Sequence, residues 1–227
     1  MDNRITQDRR FVDLSHAIFD GLITYRGLPA PIICDYLSRE QSREIYAAGT
    51  EFQIGKIELV SNTGTYLDCP FHRYQDGKDL AQTEIECFTD LEGIVIRADH
   101  HQTRAVGVEF FEEKEIRGRA VLVHTGWDRH WNTDRYFEDP PYLTAEAADD
   151  LQRRGARLVG IDSMNIDDLK DRSRPVHSIL LKSEILIVEH LCNLDQLPDE
   201  GFTFSAIPPK LVGVGTFPVR AMAKLRI

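Results

Sequence analysis

Five short apolar runs punctuate this chain: "KIELV" (56–60), "GIVIRA" (93–98), "AVLVH" (120–124), "ARLVGI" (156–161) and "EILIVEHL" (184–191). Each is rich in β-branched residues and bounded by polar residues or Gly, which is the pattern of a buried strand. Helical patterns lie between them. In "TAEAADDLQRRG" (144–155) Thr144 is placed to cap the first turn and Glu146, Asp149 and Asp150 lie toward the start. Arg153 and Arg154 fall in the last turn, and Gly155 stands where a left-handed residue closes a helix. Two further helices are expected within "LSREQSREIYAAG" (37–49) and "VHSILLKSE" (176–184). Strands outnumber helices and the helices sit between them, so one α/β domain over residues 1–227 is expected, with a mixed, curved sheet and helices packed on it.

Composition narrows the partners. A chain of 227 residues with 42% hydrophobic and 28% charged content builds a core without disulfide staples. Its net charge is −10 and it has no run of Lys and Arg, so it lacks the basic face that nucleic acid or an acidic membrane surface requires. Cys34, Cys69, Cys87 and Cys192 are scattered with no CxxC pair, which fits reduced thiols. The start, "MDNRITQDRRFVDL", has no apolar signal core, and no apolar stretch reaches membrane-spanning length. The expectation is a cytoplasmic enzyme acting on a small molecule.

The chemistry concentrates in "SNTGTYLDCPFH" (61–72). Gly64 permits a tight backbone path, and Cys69 before Pro70 must be extended. That rigid geometry holds Asp68 and His72 in fixed relation, and a carboxylate beside an imidazole prepares a general base. A turn-capping Asp and a half-exposed surface His account for the same spacing. A second cluster is His177 with Glu189, the latter ending the apolar run "ILIVE". A carboxylate at the end of a buried strand is costly unless it is paired or coordinated. Arg73, directly after His72, is a candidate to hold a substrate carboxylate, and Ser163 and Asn165 in "GIDSMNID" are candidates for polar contacts.

These segments resemble the bacterial kynurenine formamidase and cyclase family of metal-dependent hydrolases. "FVDLSHAIFDGLITYRGLPAP" is similar to the family's Asp-Leu-Ser-His opening, and "NTGTYLDCPFH" lies on its motif His-x-Gly-Thr-His-x-Asp-x-Pro-x-His. "VLVHTGWDRHW", "LVGIDSMNID", "HSILLKSEILIVEHLCNL" and "FPVRAMAKL" follow in the family's order. The resemblance implies a swivelling β/α/β fold and a homodimer or homotetramer. It implies a place in tryptophan catabolism, through removal of formyl from N-formylkynurenine. It further implies that Asp68, His177 and Glu189 are metal ligands, that His72 is the proton shuttle, and that Tyr25 packs against substrate.

The departure from the motif is at Asn62 and Tyr66, where the family has its two first-site histidines. An Asn amide is a poor zinc ligand, and a phenol must lose a proton near pH ~10 to be a good one. One metal site is therefore expected to be lost, with Asn62 and Tyr66 bonded to each other or to Asp68. Three functions follow. The first is a hydrolase of an amide, lactone or cyclic imide with one divalent ion, zinc or manganese, on Asp68, His177 and Glu189. The second is a metal-free cyclase, isomerase or lyase using His72 and Asp68, with Tyr66 and Asn62 as donors to an oxyanion. The third is a non-catalytic binding protein.

Overall fold

A computed structural model of the chain describes residues 11–226; the amino-terminal ten residues, where a signal core was sought, lie outside them. The strands are β1 (Phe11–Asp13), β2 (Ile32–Leu37), β3 (Ile54–Glu58), β4 (Tyr66–Asp68), β5 (Leu91–Arg97), β6 (Ala105–Val106) and β7 (Ala120–His124). They continue as β8 (Tyr142–Leu143), β9 (Leu158–Ile161), β10 (Leu186–Glu189), β11 (Phe202–Ser205), β12 (Thr216–Pro218) and β13 (Met222–Leu225). Nine of them form one mixed sheet in the order β1-β13-β11-β5-β7-β9-β10-β4-β12. Its centre, β5-β7-β9-β10, is parallel, and the flanking pairs are antiparallel.

Alternation along the central strands divides the core in two. Ile94, Ile96, Val121, Val123, Val159 and Ile161 face one side. There they meet Ala147, Ala148 and Leu151 of α2 (Ala145–Arg154) and Val176, Leu180 and Leu181 of α3 (Pro175–Lys182). Val95, Leu122 and Val188 face the other, against Val12, Phe204 and Ala223, so the outer strands and their loops cover that face as the sheet curls. This is the α/β architecture with a mixed, curved sheet expected from the sequence. The α2 caps are as read: the Thr144 hydroxyl accepts from the Ala147 N–H, and Gly155 is left-handed at φ 76°. Another helix, α1 (Arg39–Ile45), begins with a reciprocal cap between Ser38 and Gln41.

One expectation is corrected. "KIELV" was read as a buried strand, but β3 pairs only with β2 in a two-stranded ribbon, and all five of its residues are exposed. Ile32, Tyr36, Ile54 and Ile57 stand open to solvent on this ribbon, with Ile45 and Phe52 beside it. Apolar alternation reports a surface that wants cover and does not distinguish a core from a docking face.

Candidate active site

Strand register assembles the centre. β4 lies between β10 and β12, with Glu189 opposite Tyr66 and Thr216 opposite Asp68. Residues two apart share a face, and directly opposed side chains approach to ~4.5–5.5 Å. Tyr66, Asp68, Glu189 and Thr216 therefore project to the same side, while Leu67 and Val188 point into the core behind them.

His177 reaches this group from the first turn of α3. Asp167 fixes it there: one carboxylate oxygen accepts the Val176 N–H at 2.7 Å, and the other accepts the His177 N–H at 3.1 Å and its Nδ1 at 2.6 Å. A helix N-terminus welcomes such an anion, and the bond at Nδ1 leaves the Nε2 edge facing inward. His177 Nε2 lies 3.7 Å from Asp68 Oδ2 and 3.8 Å from Glu189 Oε1. The pairs at 68 and 72 and at 177 and 189 thus converge, with the rings of His72 and His177 5.8 Å apart.

His72 stands on the short 3-10 turn Pro70–His72 that follows β4, and Cys69 ahead of it is extended at φ −111°, ψ 171°. Gly215 lets the next strand pass close by, since a Cβ there would sit 2.3 Å from the His72 backbone nitrogen. Asp68 and His72 communicate mainly through Thr216. Asp68 Oδ1 lies 3.6 Å from His72 Nδ1, too far for a good hydrogen bond. The Thr216 hydroxyl donates to Asp68 Oδ1 and lies 2.6 Å from His72 Nδ1. A carboxylate only accepts, so the hydroxyl's single proton points at Asp68, and Nδ1 must carry the hydrogen that Thr216 accepts. Nε2 of His72 is left with its lone pair toward the pocket, the form of a general base. Thr216→Val is expected to lower kcat roughly tenfold by releasing this tautomer, on the scale of one lost hydrogen bond. Thr216→Ser should restore it, and equal loss in both variants would refute the relay.

The buried charges test whether these residues suit a cation. Asp68, Asp167 and Glu189 are all essentially inaccessible to solvent and crowd one imidazole. Burial opposes the His177 cation, but the bond to Asp167 and the nearby Asp68 and Glu189 carboxylates outweigh it and raise the ring to about 10. Burial, with the Asp68 charge adding, pushes Glu189 up to about 7 although His177 opposes this. Burial also acts to raise Asp68, but the neighbouring His72 and His177 hold it below the usual carboxylate range. Asp68 Oδ2 is buried and has no hydrogen-bond partner among the described residues. The orphaned Asp68 Oδ2 and the inward His177 Nε2, 3.7 Å apart, suit one divalent ion between them, whereas both Glu189 oxygens already accept hydrogen bonds from Tyr66 and the Ile166 N–H. Ligands at ~2.1 Å from a shared zinc lie roughly 3.4 Å apart at the tetrahedral angle. At this centre the donors that lie within 4.8 Å of one another are those of Asp68, His72 and His177, and Glu189 falls outside that set.

Position 66 does not fit a second ion. Tyr66 donates to Glu189 Oε2 at 2.6 Å, and the Ile166 N–H donates to Glu189 Oε1 at 2.6 Å. Burial, then the charges of Glu189 and Asp68, push the Tyr66 phenol well above its ordinary range, so it is a neutral donor and no phenolate ligand. Its partner is Glu189, where the sequence reading expected Asn62 or Asp68; Asn62 Oδ1 instead accepts from the Ser61 hydroxyl at 3.3 Å.

The centre opens into a cavity of about 260 Å³. Tyr25, Asn62, Tyr66 and His72 line it, as do Arg73, His177 and Glu189, all singled out in the sequence. Asn165 lines it too, but Ser163 turns away to donate to the Pro141 carbonyl. Three groups were missed. Asp167 caps a helix that begins eight residues later, Thr216 depends on a nonlocal strand pairing, and Arg174 lines the cavity from the residue before α3. The stretch "NID" after a strand is the one local hint of Asp167.

A buried acid–imidazole centre beneath a pocket, on the helix-covered side of a curled mixed sheet, is an arrangement suited to proton transfer on a small bound molecule. The chain belongs to the family described as "Putative cyclase", whose sequence profile matches residues 12–168. It is 28% identical over 218 residues to a kynurenine formamidase of Bacillus cytotoxicus, covering 94% of this chain and 97% of the relative. It is 27% identical to that of Bacillus anthracis, covering 95% and 97%. Among solved structures it is similar to isatin hydrolase A from Ralstonia solanacearum, with TM-score 0.82, 22% identity and coverage of 95% of this chain and 92% of that one. The chain accordingly has the cyclase-family fold.

Proposed function

We propose that the chain hydrolyses an amide-type C–N bond in a small carbonyl compound, an open amide or a cyclic imide, with a lactone as the oxygen counterpart. The observation that carries this reading is the Asp68–Thr216–His72 chain, which leaves His72 Nε2 free on the wall of the cavity that His177 and Glu189 also line. Asp68 and His177 would hold one divalent ion, zinc or manganese, with Glu189 completing the set through a shift of its side chain, and the ion would supply Lewis acidity toward a carbonyl and toward water. His72 Nε2 takes the proton of the attacking water as the water oxygen bonds to the carbonyl carbon. It returns that proton to the leaving nitrogen as the C–N bond breaks. Asn62 presents its amide to the substrate carbonyl, and Tyr25 and Arg73 contact the substrate at the mouth. The Tyr66 hydroxyl already donates to Glu189, which disfavours the metal-free alternative that needs it for an oxyanion.

The test is turnover of a panel of formanilides, cyclic imides and lactones, with metal analysis of gently purified protein. Expected are hydrolysis, a single equivalent of divalent ion, loss of activity in chelator and recovery with zinc or manganese. Activity that survives complete metal removal and disappears in His72→Ala would instead establish the metal-free enzyme, and binding without turnover the binding protein.

A cytoplasmic setting is supported by four free cysteines, and among the described residues no helix is long and apolar enough to cross a membrane. The exposed apolar ribbon β2–β3 is the surface we assign to a second copy of the chain, in a homodimer or homotetramer. Ile57→Asp with Tyr36→Glu is expected to yield monomers in sedimentation analysis, and a wild-type chain that already sediments as a monomer would refute the assignment.

A further inference from the structure

Two guanidinium groups share the mouth of the cavity. Arg73 follows His72 directly, and Arg174 lies three residues before His177, so both arise from segments that carry the reacting centre. They are joined through one side chain: Arg73 Nε donates to Ser178 Oγ at 3.2 Å, and that hydroxyl donates to the Arg174 carbonyl at 2.8 Å. Arg174 Nη1 donates to Asn165 Oδ1 at 3.1 Å, and the Arg73 guanidinium stands 5.4 Å over the Tyr74 ring. Each group is thereby steadied along one edge while its remaining N–H donors stay uncommitted.

Among the described residues neither arginine has a carboxylate within ion-pair distance, although acidic residues outnumber basic ones by 37 to 27. Elsewhere arginines find partners, as Arg97 does with Asp199 at 3.0 Å and Arg220 with Asp13 at 2.6 Å. The backbone adds a second observation. Arg174 is left-handed at φ 52°, ψ 59°, a conformation that favours Gly or Asn, and it precedes Pro175, which restricts it further. Strain of this kind at a long cationic side chain collects where function requires the side chain. It turns Arg174 back toward Asn165 and the cavity.

We propose that Arg73 and Arg174 form an anion subsite, and that the preferred substrate carries a carboxylate next to the bond that is hydrolysed. The inference rests on the hydrolase reading for the identity of that bond, but not for the binding of the anion. The planar fork of a guanidinium matches a carboxylate through paired N–H bonds. Tyr25 and Leu28 add apolar surface to the same cavity, which suits a flat, largely apolar body such as an aromatic ring. The Glu189 carboxylate in the same cavity does not oppose the anion strongly, because its oxygens are held by Tyr66 and the Ile166 N–H with His177 beside it.

Two measurements on the metal-loaded enzyme test this. In the first, benzoate and benzamide are titrated calorimetrically into wild type, Arg73→Met and Arg174→Met. Wild type should bind the acid about 10- to 100-fold more tightly than the amide, and each variant should lose most of that preference. In the second, formanilides bearing an ortho carboxylate or its carboxamide are compared as substrates, and the acid's advantage in KM should fall in the variants far more than kcat does. Arg174→Gly separates function from folding. It relieves the left-handed backbone, so its Tm should equal or exceed that of wild type while the preference for the acid disappears. Equal affinity for acid and amide in wild type, or a preference that survives both arginine substitutions, overturns the proposal. A preference for benzoate with no turnover of any formanilide, cyclic imide or lactone leaves the subsite standing and removes the hydrolase reading.

Discussion

His72→Ala is expected to lower kcat by ~10²–10⁴-fold, the range that a positioned general base contributes. The side chain is partly exposed on the pocket wall, so its removal leaves no buried cavity and the fold should persist. Its Nδ1 hydrogen is committed to Thr216, whose own hydrogen is committed to Asp68, so the base function resides on Nε2 alone. Added imidazole should restore part of the rate by occupying the vacated space. A variant that keeps wild-type kcat would mean that the proton travels by another group.

The second large effect is expected at Asp68. Asp68→Asn preserves shape but removes the charge that faces both imidazoles from a position with no solvent access. Breaking a buried pair by neutralising one partner costs about 3–5 kcal/mol, so denaturant unfolding should move to markedly lower concentration. The same change replaces the orphaned Oδ2 with an amide, which is a poor ligand, and bound divalent ion should fall from a single equivalent to background. Turnover should be lost with it. A variant that unfolds like wild type and retains both metal and activity would show that Asp68 does not organise the centre.

Much of this was legible in the sequence because it is local. The unbroken apolar runs in "GIVIRA" and "AVLVH" report strands buried on both faces, and they are the sheet's centre. The two-residue spacing of Tyr66 and Asp68 on one face, and the fixed turn through Pro70 to His72, follow from strand pleat and proline geometry. The ribbon β2–β3 was misread because hydrophobicity does not reveal which partner covers a surface. Thr216 was missed because its role exists only once β12 pairs with β4, nearly 150 residues away in sequence. Asp167 escaped notice for a related reason, since it caps a helix across an intervening loop. Arg174 is set by a left-handed backbone, which residue type does not foretell.

Thr216 belongs to β12, the outermost strand of the sheet beyond β4, only three residues long and ending in Pro218. A short border strand with a proline is secured by few ladder bonds and opens more readily than the interior. On gradual warming, the imidazole at position 72 should lose its orientation while the parallel centre of the sheet remains intact. Heat inactivation should therefore precede the calorimetric transition, and amide exchange should accelerate first at residues 216–217.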